Sequence, residues 1–148
     1  MRTARHDRSP ATSAAAEERP RARTIELVFD HVILDVADLA RARTFYEQAL
    51  APLGVAVVME LGDRCAFGGS NGKPQFWVAA RGTPAASGIH LAFSAGSREA
   101  VDEFHRAAIA AGGRDNGAPG VRPQYHRGYY GAFVLDPHGN NVEAVCHG

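Results

Sequence analysis

The chain has 148 residues, 45% of them hydrophobic and 22% charged, with 16 basic and 16 acidic side chains that cancel to zero net charge. That length holds one domain, or two half-domains sharing a core, and the even balance gives no electrostatic pull toward nucleic acid or an anionic membrane surface. No apolar run approaches the roughly 20 residues that span a bilayer, and two cysteines in a chain without a signal peptide read as reduced thiols, so a cytoplasmic protein is expected.

Residues 1–23 are rich in Arg, Ala, Ser, Pro and Glu and carry no large apolar residue after Met1. Such a stretch cannot bury enough surface to offset its ordering entropy, and a disordered tail is expected there. Residues 24–148 form the domain. Its first module, 25–81, opens with a strand over Leu27 to Val36, with His31, Ile33 and Asp35 on one face and Val32, Leu34 and Val36 on the other. Asp38 is placed to cap a helix whose apolar stripe takes in Leu39, Ala42, Phe45, Tyr46 and Leu50. Three shorter strands follow, Val55 to Leu61, Arg64 to Phe67 and Gln75 to Ala80, separated by glycine-rich turns.

A small-residue linker, Gly82 to Ser87, leads to the second module, 88–147. It repeats the plan: a strand from Gly88 to Ala95, a cap at Ser97 and a helix from Val101 to Ala111. Gly112 to Gly128 holds Gly, Pro, Asn and Arg with little alternation and is expected to be mostly loop, with at most a weak strand near Arg114. Tyr129 to Leu135 and Asn141 to His147 make a hairpin across Asp136-Pro137-His138-Gly139-Asn140. The copies align without gaps at an offset of 90 − 31 = 59, which matches His31 to His90, Phe45 to Phe104, Leu50 to Ile109 and Gly54 to Gly113. A period this long marks two copies of one βαβββ unit that share a core.

The strand histidine, the Asp-Leu helix start, Phe-Tyr within the helix and a closing D-P-x-G-N-x-x-E strand together resemble the vicinal-oxygen-chelate superfamily. That group contains glyoxalases, extradiol dioxygenases and the bleomycin- and fosfomycin-resistance proteins. The resemblance covers Ile25 to His147. It implies an α+β fold of two βαβββ modules forming a curved, mostly antiparallel sheet around a metal site, with ligands from the first and last strands of each module. Carried over, those ligands are His31, His90 and Glu143. The fourth position, a glutamate in glyoxalases, falls within Gln75-Phe76-Trp77, where no carboxylate stands. Cys146 stands where the extradiol signature has its glutamate.

Two imidazoles and a carboxylate suit a divalent transition metal such as Fe(II), Mn, Ni, Co or Zn. With positions left open, the ion can chelate adjacent substrate oxygens and stabilise enediolate or catecholate charge. A lone histidine on an apolar strand is ordinarily a core residue. Two at one repeat phase, with a strand glutamate beside them, point to a metal site. A second constellation, Gln124 to Tyr130, offers His126 as a general base and Tyr129 or Tyr130 as a donor to a substrate oxygen. Alternation lets only one of the two tyrosines face the cavity, and the same stretch reads equally as a loop anchored by aromatic packing. His147 shares a strand face with Glu143. Arg114, Arg122 and Arg127 are candidates for an anionic substrate group.

The expectation is a metal-dependent lyase, isomerase or dioxygenase acting on a small oxygenated molecule. A metal-free drug- or metabolite-sequestering protein of the bleomycin-resistance kind is the alternative. Small members of the family imply a homodimer, with the metal site either within one chain or shared between two.

Overall fold

The computed structural model describes residues 29–85 and 87–148. The tail over 1–23 and the expected strand start at Leu27 lie outside the described residues. Module one comprises β1 (Val32–Asp35), α1 (Leu39–Leu50), β2 (Ala56–Leu61), β3 (Arg64–Gly68) and β4 (Phe76–Ala79). Module two comprises β5 (His90–Ser94), α2 (Arg98–Ala110), β6 (Arg114–Val121), β7 (Tyr129–Leu135) and β8 (Asn141–His147). Each is βαβββ, as the repeat requires.

The strands form two four-stranded sheets, ordered β1-β4-β3-β2 and β5-β8-β7-β6. In each, the first strand runs parallel to the last and the remaining pairs are antiparallel. The α+β arrangement of two βαβββ modules expected from the sequence is present, as two mixed four-stranded sheets not closed on one another. The first strands β1 and β5 end their sheets, and the modules meet through side chains, as where Phe76 and Phe93 lie edge to face at 5.3 Å.

Both helices start where a side chain can satisfy a free backbone N–H. Asp38 accepts from Arg41 N at 3.0 Å, and Ser97 accepts from Ala100 N at 3.2 Å. Helix α1 buries Ala42, Phe45, Tyr46, Ala49 and Leu50, whereas α2 buries only Val101, Phe104 and Ala108. The repeat thus holds at Phe45 and Phe104, both fully buried, but not at Leu50 and Ile109, since Ile109 is exposed. The difference follows from Tyr46, which sits where α2 has His105. The Tyr46 ring packs on Phe45 and Phe76, and its hydroxyl donates to Asp136 Oδ2 at 2.6 Å, tying module one to module two. His105 instead turns to the surface and meets Asp115 at 2.8 Å.

Asp136 is the anchor of the hairpin turn. Its carboxylate accepts from Tyr46 Oη, from the backbone of His138 and Asn140, and from Asn140 Nδ2. Asn140 in turn accepts from Ile89 N, at the threshold of β5. A carboxylate with four donors can be buried without an unpaired charge, and Asp136 is 5% exposed. The Asp-Pro-x-Gly-Asn motif therefore sets the phase of β8.

Strand β6 corrects the expectation of a loop after α2. Among the described residues it is an edge strand paired only with β7, and its register slips between Asp115 and Gly117 and again between Gly117 and Gly120. Pro119 is tolerated because an edge strand has one side without ladder bonds. These bulges erase the alternation by which a strand is read.

Candidate functional site

Alternation along β5, β7 and β8 divides the second sheet. Leu91, Phe93, Tyr130, Ala132, Val134, Val142, Ala144 and Cys146 pack with the helices. His90, Tyr129, Phe133, Asn141, Glu143 and His147 occupy the opposite face. Glu143 is central there. It lies opposite Phe133 on β7 and Ala92 on β5, and its side chain is only 2% exposed.

Its two oxygens are taken by different partners. Tyr129 Oη donates to Oε1, and His90 Nε2 lies 3.0 Å from Oε2. Gly131 makes room for this, because a Cβ there would lie 2.9 Å from Glu143 Oε1 and 3.1 Å from the Tyr129 ring. On the far side of His90, Asn141 Nδ2 lies 2.7 Å from Nδ1, while Asn141 Oδ1 accepts from Asn116 Nδ2 at 3.0 Å. With the amide oriented so, Nδ1 is the acceptor and Nε2 carries the proton donated to Glu143. Burial, then the hydrogen bond to Glu143 and its charge, push the Tyr129 phenol up to about 12. At neutral pH Tyr129 is a proton donor.

The tyrosine ambiguity resolves in favour of Tyr129 on this face. Tyr130 points the other way, donating to Asp102 Oδ1 on α2 at 2.7 Å beneath the Arg98 guanidinium. His126 reaches the margin of the site. Its Nδ1 meets Arg127 O at 2.7 Å, its Nε2 meets His147 Nδ1 at 2.8 Å, and both rings stand edge-on to Tyr129.

His31 immediately precedes β1 of the first sheet. Its Nδ1 is 2.9 Å from Asp30 Oδ1, and Lys73 Nζ holds the other oxygen of Asp30 at 2.6 Å. Neither His31 nor His90 is a core residue: their side chains are 50% and 49% exposed. With Ile33, Leu61, Arg64, Pro74 and Trp77, His31 lines a cavity of about 300 Å³. Pairing fixes what stands in place of the second carboxylate. Ile33 opposes Trp77 and Ala92 opposes Glu143, and 92 − 33 = 59, so Trp77 occupies the Glu143 position.

The structure thus joins His90, Glu143 and Tyr129, with His126 at their edge, and leaves His31 on the other sheet. Among the described residues, no group of three or more His, Cys, Asp or Glu is arranged to hold a metal within one chain. His90 Nε2 and Glu143 fit two positions of a mixed nitrogen–oxygen set. Asn141, Asn116 and Gly131 escaped the sequence reading. Only the register of β8, set by the Asp136 turn, brings Asn141 beside His90.

The sequence pattern of the Glyoxalase/Bleomycin resistance protein/Dioxygenase superfamily matches residues 28–144. No curated protein matches the chain. Among solved structures, a glyoxalase/bleomycin resistance protein from Albidiferax ferrireducens T118 is 32% identical, with 79% of this chain and 96% of that one covered and a TM-score of 0.68. A glyoxalase/bleomycin resistance protein/dioxygenase family enzyme from Burkholderia phytofirmans PsJN is 23% identical over 78% of this chain and 95% of its own, at a TM-score of 0.62. A variant of glyoxalase I from Zea mays is also 23% identical, over 78% of this chain but 45% of its own, at a TM-score of 0.56. The paired βαβββ modules and a pattern match from the threshold of β1 into β8 agree, and the chain belongs to the Glyoxalase/Bleomycin resistance protein/Dioxygenase superfamily.

Proposed function

We propose that the chain is a divalent-metal-dependent enzyme acting on a small substrate with adjacent oxygens, one chain supplying His90 and Glu143 and a second supplying His31. The observation that carries this is Glu143. It is 2% exposed on the sheet face opposite the one packed with the helices, and His90 Nε2 at 3.0 Å from its Oε2 sets an imidazole and a carboxylate side by side as a pair of ligands for a divalent ion. Among the described residues the chain adds no third ligand to the pair, which is why His31 is assigned to a second copy in a homodimer.

Bound there, a divalent ion would act as a Lewis acid, countering enediolate or catecholate charge as it develops. The chain's own groups have separate tasks. Tyr129 holds its proton at neutral pH and orients Glu143 through Oε1. With an ion at Nε2 the His90 proton would sit on Nδ1, where the Asn141 amide, turned to present Oδ1, would accept it and fix the ring plane. Stacking on Phe133 at 6.2 Å limits rotation of the imidazole. Lyase, isomerase and extradiol-type dioxygenase chemistry all use these parts.

The second reading is metal-free sequestration of a drug or metabolite. It is favoured by the module-one cavity, where Ile33, Leu61, Pro74 and Trp77 offer an apolar wall and the Asp30 carboxylate is already paired with Lys73. Metal titration of untagged protein separates the two. Stoichiometric binding of a divalent transition metal, lost on His31→Ala, His90→Ala or Glu143→Ala, is expected. Absence of binding by the unaltered protein sinks the enzyme and leaves sequestration.

A further inference from the structure

Beside the His90–Glu143 pair lies a second cavity, of about 290 Å³, lined by Asn116, Gly117, Arg122, Tyr125, Phe133 and Asn141. Two of its walls belong to the centre already described: Phe133 stacks on the His90 ring, and Asn141 bonds it. The remaining wall is a guanidinium. Arg122 lies over the other part of the Phe133 ring, 5.7 Å from its centroid, and its hydrogen bonds go to the carbonyls of Ala118 at 2.6 Å and Val121 at 3.3 Å. Among the described residues no carboxylate forms an ion pair with it. By contrast, Arg43, Arg64, Arg81 and Arg106 are each neutralised by an acid.

The bulged edge strand is shaped around this group. A Cβ on Gly120 would lie 2.8 Å from Arg122 Nη1, and one on Gly117 would lie 2.9 Å from the Phe133 ring. Gly117 also has φ +154, a backbone that side chains rarely adopt. So β6 gives up side chains at the two points where Arg122 and Phe133 need space. The amides add donors: Asn116 and Asn141 each use one N–H of the side-chain NH₂ in the network to His90, and each has a second. An unneutralised guanidinium and two amide donors facing one small cavity make a receptor for an oxyanion.

We propose that this cavity is a subsite for a carboxylate or phosphoryl group on the substrate, held by Arg122, Asn116 and Asn141 next to His90. It rests on the preceding reading only in taking His90 and Glu143 as the reacting centre. The consequence is a substrate class: small molecules with an anionic group close to the oxygens that react. Because the same residues brace His90, filling the subsite also steadies the imidazole that faces Glu143.

Benzoate and phenylphosphonate, at constant ionic strength and with benzamide as the uncharged control, are the probes. They are titrated into metal-free, full-length protein and followed by the Nε–H resonance of Arg122 and by calorimetry. Binding of one or both anions, with benzamide inert, is expected; the preferred anion tells a carboxylate from a phosphoryl site. Arg122→Gln should weaken binding roughly tenfold or more, the loss expected for a charge-assisted hydrogen bond. Gly120→Ala should weaken it by displacing Arg122 without removing it, while Arg106→Gln on the surface of α2 changes nothing. No anion binding by the unaltered protein at millimolar concentration, or affinity unchanged in both Arg122→Gln and Gly120→Ala, overturns the proposal. Glu143→Ala keeps the two readings apart, since it removes a metal ligand and leaves the anion subsite standing.

Discussion

At the scale of single residues, the Tyr129–Glu143 contact makes the sharpest prediction. The Tyr129 phenol is pushed from its ordinary 10.0 up to about 12, with burial first among the causes and Glu143 second. The folded chain therefore keeps a proton that the unfolded chain gives up between those two values. Below that window the group contributes no pH dependence; within it, stability falls as pH rises. Carbon NMR of ring-labelled tyrosine should place Tyr129 ionisation near the upper value, and Glu143→Gln should lower it. A Tyr129 titration unmoved by that change would mean burial alone sets it. His31, His90 and Glu143 were legible because two copies of a unit align on the histidines and a closing motif leads to the acid. The choice between Tyr129 and Tyr130 was not, since alternation says that they part without saying which way. The Tyr130 hydroxyl, donating to Asp102 Oδ1 on α2, settles the direction.

At the scale of elements, both helices and seven strands were readable from periodicity and caps, because Asp38 and Ser97 mark starts and the apolar stripes mark faces. Strand β6 was hidden by its own irregularity: Gly117, Pro119 and Gly120 read as loop until β7 supplies the pairing partner. The coupling between modules was hidden for another reason. Tyr46 and Asp136 are 90 residues apart, and no local pattern joins them. Their bond is buried, and burial holds the Tyr46 phenol protonated far above its usual range. Tyr46→Phe should cost about 1–3 kcal/mol, because it leaves a buried carboxylate short of one donor. Chemical denaturation measures this directly. A loss below the error of the extrapolation would show that Asn140 and the turn amides suffice for Asp136 alone.

At the scale of the whole molecule, two open sheets with complementary contents raise the question of assembly. One bears His31 and an apolar cavity, the other His90, Glu143 and a polar one. Isologous pairing of two chains brings unlike faces together twice over. Mixing His31→Ala protein with Glu143→Ala protein should restore metal binding at one site per heterodimer, the other carrying both lesions. No restoration in a proven heterodimer would place each site within one chain, and a monomer by light scattering at micromolar concentration would remove the dimer altogether. The pairing puts Trp77 where module two has Glu143, so one position of the repeated unit carries an indole in one half and an acid in the other. Trp77→Glu makes the two halves alike at that position. It should tighten metal binding by placing a carboxylate in the first sheet, at the expense of the apolar wall, and a metal titration beside a ligand screen would read both sides of the exchange. The chain is one unit written twice, and its two copies are not synonyms.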